Sequence, residues 1–480
     1  MEPLLGNNKA ADLSMPQTHV GILGGGITGL TAAFYLLRSG MQVTVIESRP
    51  QLGGLATYFD FGPFSWDKFY HCILTSDDPL LQLVKDLGLG DELRWTQTKV
   101  GFFTNDRLHS MSSTWDFLRF PPLSLWEKFR LGLGVMYASR IRDGRTLEGF
   151  PVDQWLIKVF GKATYQKMWG PLLKCKLGAC REEASAAFIW ATIFRLYSTR
   201  DKNAGQKECL GYVRGGYRTV VLRLIKEIER MGGQVLTGLP VKNIESLPEG
   251  RVSLTTEHGC MNFDRVIATA PSQTVAALAP ELSPSYVEKL KTVKYLGIVC
   301  VALVLKRKLS PYYCTNITED LPFTGIIEMT NLVSLEETNG RHLVYLPKYI
   351  APGDPLFEKS DEDIWTLFRR EVQKVFPDLQ DSEIERHFVF REKFVQPVPV
   401  LHYSQLVPEM QTNVPGLLLA NTTQIINSTL NNNEMVKIAK RAVDKVLTSG
   451  NHGTTGQREG ETYAESKQLA GDRSCVGDTV

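Results

Sequence analysis

The chain has 480 residues, 43% of them hydrophobic and 22% charged, with a formal net charge of +2. That length predicts two domains with sizeable cores rather than one small unit. The near-even charge balance gives no support for nucleic acid as the main partner. The eight cysteines are scattered without a C-x-x-C pair. Cys175 and Cys180, the nearest two, fit no common metal spacing, so no metal site is predicted.

Residues 1–17 read as a flexible leader. They lack the sustained apolar core of a secretory signal, and with the scattered cysteines this predicts a cytoplasmic protein with most of its thiols reduced. The N-x-[ST] matches at Asn316, Asn421 and Asn427 then read as chance. The chain proper opens on an apolar run, Val20 to Leu23, followed by Gly24-Gly25-Gly26-Ile27-Thr28-Gly29. Gly24, Gly26 and Gly29 fit G-x-G-x-x-G: a tight turn, a close backbone approach to a pyrophosphate, and close helix–strand packing. An amphipathic helix ending at Gly40 follows, then a second strand that stops at Glu47. A carboxylate there accepts both hydroxyls of an adenosine ribose and argues against a 2′-phosphate, hence against NADP. A strand–turn–helix without ligand is the plainer alternative, but the complete set favours a dinucleotide.

The next stretch, "ESRPQLGGLATYFDFG", adds a second glycine pair, Gly53-Gly54, which a plain NAD site does not need. Here the sequence resembles the flavoprotein superfamily of amine oxidases, protoporphyrinogen oxidases and carotenoid desaturases, through the pattern Glu47-x-Arg49-x-x-x-Gly53-Gly54. The resemblance implies that Glu47 binds ribose and that Ser48 and Arg49 lie on the adenosine side. It places Gly53, Gly54 and Leu55 near the pyrophosphate and ribityl chain, with Ile27 and Thr28 at the helix start. "DKFYHCIL" then sets Lys68, Tyr70 and His71 on a segment that relatives place near the flavin. His71 is a catalytic candidate, although a half-buried structural histidine is the simpler reading.

From about Leu80 to Lys207 the pattern is helix-rich. Within it, residues 113–137 mix Trp115, Phe117, Phe120, Trp126 and Phe129 with Arg119, Lys128 and Arg130. An amphipathic helix pair packed on its own domain is the simpler reading; peripheral docking on a membrane is the alternative. "GGYRTVVLRLIKEIERMGGQVLTGLPVKNI" looks like the superfamily's central segment, in which a valine matching Val241 contacts the adenine end. "FDRVIATAP" looks like its strand back toward the cofactor. "LGIVCVALVL" from Leu296 is too short for a membrane span and reads as a buried strand. Lys348, in "HLVYLPKYI", is the second catalytic candidate, by analogy with a lysine beneath the flavin; a solvated lysine at a strand end is the plainer reading. Tyr345, Tyr349 and Gln396 are candidates for the substrate cavity.

"VPGLLLANTTQIINSTLNNNEMVKIAKRAV" looks like the closing flavin motif, with two departures. Asn421 stands where the superfamily usually has aspartate. Asn431-Asn432-Asn433-Glu434 replaces its glycine-rich helix entry, leaving Asn433 as a cofactor contact and an asparagine as N-cap. No cysteine lies in this segment, so the FAD is expected to be non-covalent. Residues 450–480, polar and rich in Gly and Thr, read as a disordered tail.

The implied fold is α/β. A doubly wound, Rossmann-like FAD domain is assembled from residues 18–95, 205–285 and 396–449, with an α+β substrate domain from 96–204 and 286–395. The implied function is FAD-dependent oxidoreduction, with hydride passing from a C–H bond of an apolar, isoprenoid- or tetrapyrrole-like molecule to the flavin. One alternative is a flavin-dependent sugar-nucleotide mutase similar to UDP-galactopyranose mutase, which needs arginines facing a diphosphate; Arg214, Arg218 and Arg391 are available. Another is a non-enzymatic lipid or prenyl binder similar to Rab escort and GDP-dissociation inhibitor proteins.

Overall fold

A computed structural model describes residues 17–198 and 209–449. The expectations for residues 1–16 and for the tail therefore lie outside the described residues. Five short apolar runs form one parallel sheet in the order Gln234–Leu236, Gln42–Ile46, His19–Leu23, Arg265–Ala268, Leu417–Leu419. Its strands come from the beginning, the middle and the end of the chain. Being covered on both faces, they are nearly continuous in Val, Ile and Leu, as a buried parallel sheet requires.

Helices Ile27–Arg38, Gly216–Arg230 and Asn432–Ser449 cover one face. Their apolar stripes merge in a core that includes Leu30, Phe34, Leu224, Ile228, Val436 and Val443. The opposite face departs from a purely helical second layer. Antiparallel strands Asn243–Ser246, Val252–Thr256 and Gly259–Phe263 lie there, with helices Ser272–Leu278 and Pro284–Thr292 beside them. The cause is local: "VSLTTEHGCMNF" alternates with a period of two and turns at Gly259, whose φ is +109°. That pattern makes a hairpin where a helix would need a 3.6-residue period.

A second sheet has seven strands, in the order Ile384–Pro397, Tyr295–Leu305, His342–Ile350, Gly325–Glu328, Cys314–Ile317, Val100–Thr104, Arg107–Ser110. The last two come from the first inserted segment and the others from the second, so both segments share one sheet. Strands pair along both edges of Tyr295–Leu305, and it is buried at every position because cores cover both faces, Ile298, Cys300, Ala302 and Val304 on one side and Val299, Val301, Leu303 and Leu305 on the other. The apolar run from Leu296 is thus a central strand, and among the described residues no helix is long and apolar enough to cross a membrane.

The helical part of the first insertion has its own core around Leu131, Leu156, Phe160, Leu177 and Trp190, and meets the sheet through Phe102, Leu296 and Val398. Its helices Thr114–Arg119 and Leu125–Arg140 each start at a serine that forms a reciprocal capping box. The pair packs only in part on its own domain. The longer helix buries Lys128, Leu131, Gly134 and Ala138. Trp115 (69%), Leu125 (76%), Trp126 (69%) and Phe129 (57%) stay exposed.

The first helix depends on close approach to its strand. A Cβ at Gly29 would overlap the Gly24 carbonyl oxygen and press on the Ile22 side chain. Gly29→Ala is expected to destabilise the fold by about 1–3 kcal/mol, the usual range for overpacking. Thermal unfolding of the cofactor-free protein checks this, and an unchanged midpoint contradicts the packing account.

Candidate functional site

A chamber of about 1180 Å³ opens where the parallel strands end, bounded by Leu23-Gly24, Ile46-Glu47, Thr269–Pro271 and Asn421-Thr422. The carboxyl edge of an open parallel sheet is where such folds bind ligands. The volume exceeds that of an ordinary small-molecule pocket and suits an extended dinucleotide.

At the polar end, the Gly25 N–H donates to Glu47 Oε2 at 2.7 Å, and the Arg49 N–H to Glu47 Oε1 at 2.8 Å. Oε1 also accepts from the Ser48 hydroxyl at 3.1 Å, so Oε2 is the oxygen that keeps a lone pair for a ligand hydroxyl. Gly26, Ile27 and Thr28 form the chamber wall at the start of helix Ile27–Arg38. The N-cap Gly26 supplies no side-chain cap, and the first turn carries no acidic residue. The positive end of the helix and its free N–H groups therefore suit an anion. Across the turn, Gly54 has a φ of +58° and a Cβ on it would stand 3.1 Å from the Gly26 Cα, so this position favours glycine. Arg49 holds Glu392 with two hydrogen bonds of 2.7 and 3.0 Å, fastening the nucleotide end to strand Ile384–Pro397 of the second sheet.

The other end is apolar and aromatic. Phe59 packs edge-on against both Phe388 and Phe390 at 5.0 and 4.9 Å between centroids, and Ile298, Phe394, Val395 and Leu430 continue the wall. Tyr70 and Tyr349 share a hydrogen bond of 2.7 Å between their hydroxyls. Burial pushes both phenols up, Tyr349 to about 12, so both stay protonated at neutral pH.

Of the residues singled out in the sequence, Gly24, Gly26, Ile27, Thr28, Glu47, Ser48, Arg49, Gly53, Gly54 and Leu55 line the chamber, as do His71, Val241, Tyr349 and Asn421. Gly29 lies beneath it, in the helix–strand contact. Asn421 has its amide fully committed: Nδ2 donates to the Ala270 carbonyl at 2.8 Å, and Oδ1 accepts from the Thr423 N–H and hydroxyl. It fixes two loops and offers the chamber no free amide donor. Asn433 turns away from the chamber and accepts from the Leu80 N–H at 3.1 Å; Asn431 and Asn432 line the wall instead, and Asn431 Oδ1 caps the helix through the Glu434 N–H.

Lys348 is also outside the chamber. Its Nζ donates to the Leu321 carbonyl at 3.2 Å. Side chains alternate along strand His342–Ile350, so Tyr349 faces the chamber and Lys348 the opposite side. Tyr345 is fully buried beneath the wall, its hydroxyl on the Asp67 carbonyl. Gln396 is not on the wall, whereas Phe394 and Val395 are. Arg214, Arg218 and Arg391 all lie off it, and Arg391 is bound to Asp361 and the Lys359 carbonyl.

Sequence reasoning missed Phe388, Phe390 and Glu392. A signal for them was present in the period-two run "FVFREKF", which sets alternate residues on one face.

A profile of the flavin-containing amine oxidoreductases matches residues 27–424. An Arabidopsis thaliana 15-cis-phytoene desaturase is 23% identical over 380 residues, which are 74% of this chain and 66% of that protein. A Bacillus subtilis coproporphyrinogen III oxidase is 25% identical over 61% of this chain and 67% of its own length. Among solved structures, an Exiguobacterium protein described as a protoporphyrinogen oxidase superposes with a TM-score of 0.71 at 20% identity, covering 90% of this chain and 99% of that one. A reduced UDP-galactopyranose mutase superposes with a TM-score of 0.69 at 15% identity, covering 90% and 96%. At such identities the superpositions show the fold alone. The profile spans most of the chain, and the chain belongs to the flavin-containing amine oxidoreductase family, a family of FAD-dependent oxidoreductases.

Proposed function

We propose that this protein oxidises an apolar small molecule by taking hydride from a C–H bond held against non-covalently bound FAD. Desaturation of an isoprenoid- or tetrapyrrole-like skeleton is the leading reaction. The observation that carries this reading is the change of character along one chamber, from Glu47 and a bare helix N-terminus to a wall of Phe388, Phe390, Phe394, Val395 and Tyr349. The phytoene and coproporphyrinogen relatives support an apolar substrate.

When bound, the flavin supplies the hydride acceptor, and the protein supplies binding, orientation and exclusion of water. Glu47 takes the ribose hydroxyls, the Gly26 turn takes the pyrophosphate, and Asn431 and Asn432 border the inner end. The aromatic wall strips water from an apolar substrate as it enters. A mutase would need cations on a diphosphate, and Arg214, Arg218 and Arg391 are not on the wall. A lipid carrier without cofactor has no use for an intact phosphate cradle.

An apolar substrate also gives the exposed helix pair a role. Trp115, Leu125, Trp126 and Phe129 project into solvent, with the Arg119 guanidinium over the Trp115 ring, the pattern of a helix lying in an anionic membrane surface. We assign this pair to membrane contact, with the substrate drawn from the bilayer.

The purified protein, supplied with FAD, is expected to show a flavin spectrum that bleaches on anaerobic reduction and returns in air. Protein that stays colourless contradicts the proposal. Glu47→Gln is expected to weaken FAD binding roughly tenfold or more, since a hydrogen bond to a charged group contributes about 1.5–3 kcal/mol. Quenching of flavin fluorescence measures it, and unchanged affinity removes Glu47 from the ribose site. Trp126→Ser with Phe129→Ser is expected to cut sedimentation with phosphatidylglycerol vesicles at least about tenfold, from the loss of buried aromatic area. Equal sedimentation of the two proteins contradicts docking through this face.

A further inference from the structure

Behind the chamber wall is a second cavity of about 10 Å³, close to the room that one water molecule fills. Trp66, Asp67, His71 and Tyr217 line it. Three polar atoms of its lining residues, Trp66 Nε1, His71 Nδ1 and Tyr217 Oη, are sealed from solvent and make no well-formed hydrogen bond within the protein; the Asn432 side chain is the polar group set against Tyr217 Oη. Unpartnered buried polar atoms are uncommon and costly. Three around a space of this size meet the requirement of a structural water, which needs two to four polar partners.

His71 lines both this cavity and the chamber. Its Nδ1 is 3.5 Å from Asp67 Oδ2, long for a direct hydrogen bond, and its ring meets that of Tyr217 edge-on at 5.1 Å. With Nδ1 sealed, Nε2 is the ring nitrogen left to face the chamber. Asp67 is only 2% exposed and is held at the start of helix Gly216–Arg230 by the Tyr217 N–H at 2.8 Å. Burial pushes its carboxyl up, against the opposing pull of His71 and the backbone N–H groups of Tyr217 and Arg218. Cys72 and Asp77 are the other ionisable groups facing this cluster. Asn432, whose side chain is set against the Tyr217 hydroxyl, belongs to the chamber wall and links the two cavities.

We propose that the small cavity holds one water linking His71 to Asp67 and Tyr217, and that His71 takes up the proton released when a substrate is desaturated. This rests on the oxidoreductase reading above. Desaturation breaks two neighbouring C–H bonds. One leaves as hydride, its electron pair passing to the flavin; the electron pair of the other becomes the C=C bond, and its proton goes to His71 Nε2. The carboxylate of Asp67 offsets the imidazolium charge, and the water carries a proton between them. Asp67 and Tyr217 are positioning residues in this scheme.

The test reduces the FAD-loaded full chain anaerobically in weak buffer with a pH-indicating dye and counts the protons taken up per two electrons. Wild type is expected to take up more than His71→Gln, with Asp67→Asn falling toward the His71→Gln value. Equal uptake by all three overturns the proposal. A second readout needs no cofactor: imidazole nitrogen resonances of the unloaded protein are expected to show the Nδ1-protonated tautomer of His71 in wild type and its loss in Asp67→Asn. The Nε2-protonated tautomer in both overturns it. If Asp67→Asn does not fold, Tyr217→Phe removes only the hydroxyl and is expected to shift the His71 resonances through the water; no shift overturns the link. A chain that never takes up FAD defeats the oxidoreductase reading by itself, while the imidazole spectrum still decides the relay.

Discussion

The backbone of one glycine turn rests on another: the Gly53 N–H donates to the Gly25 carbonyl at 2.8 Å, and Gly26 and Gly53 form an isolated parallel bridge. Gly53 and Gly54 hold φ values of +109° and +58°, and a Cβ on Gly54 would stand 3.1 Å from the Gly26 Cα. This contact pins the segment after the second strand across the start of the first helix, and Glu47 fastens the same turn through the Gly25 N–H. It leaves the helix N-terminus open to the chamber, sets the Glu47 carboxylate at one end, and directs the chain past Leu55 toward Tyr70 and His71. The nucleotide end and the reactive end of the chamber are thereby tied to one rigid turn.

The second sheet closes the chamber from the other side, and the tie between the two sheets is polar at its mouth and apolar further in. Arg49 and Lys68 both approach Glu392, at 2.7 and 3.6 Å. Arg49 is more than half exposed, so the ion pair adds little stability. Its effect is geometric: it registers strand Ile384–Pro397 against the nucleotide end. The aromatic cluster of Phe59, Phe61, Phe388 and Phe390 supplies most of the cohesion, through buried area and edge-to-face contacts.

The glycine-turn end of the chamber was legible in the sequence because its determinants are local. Gly24 to Gly54 carry the turn, the helix start, the carboxylate and the second turn within one short stretch, each with a fixed physical task. The inner end was not, because its residues come from strands far apart in the chain whose facing depends on register. One residue of register separates Tyr349 on the wall from Lys348 behind it. A similar shift separates Asn431 and Asn432, which line the chamber, from Asn433, which binds the Leu80 backbone. The antiparallel layer over the main sheet was visible as period-two alternation around Gly259, although its place over the sheet was not. The Asp67–His71–Tyr217 cluster had no local signal, because its members meet only when the start of helix Gly216–Arg230 packs against the segment at Trp66.

The central claim is that one chamber binds a complete dinucleotide, anchored mainly at its adenosine half. Equilibrium binding of FAD and of FMN to the cofactor-free protein tests it most directly. The account predicts FAD binding at least about a hundredfold tighter than FMN, since FMN leaves Glu47 and Val241 without a ligand; that ratio corresponds to about 2.7 kcal/mol. FMN binding as tightly as FAD would contradict it, placing the binding energy at the flavin end and leaving the glycine turns without their assigned task.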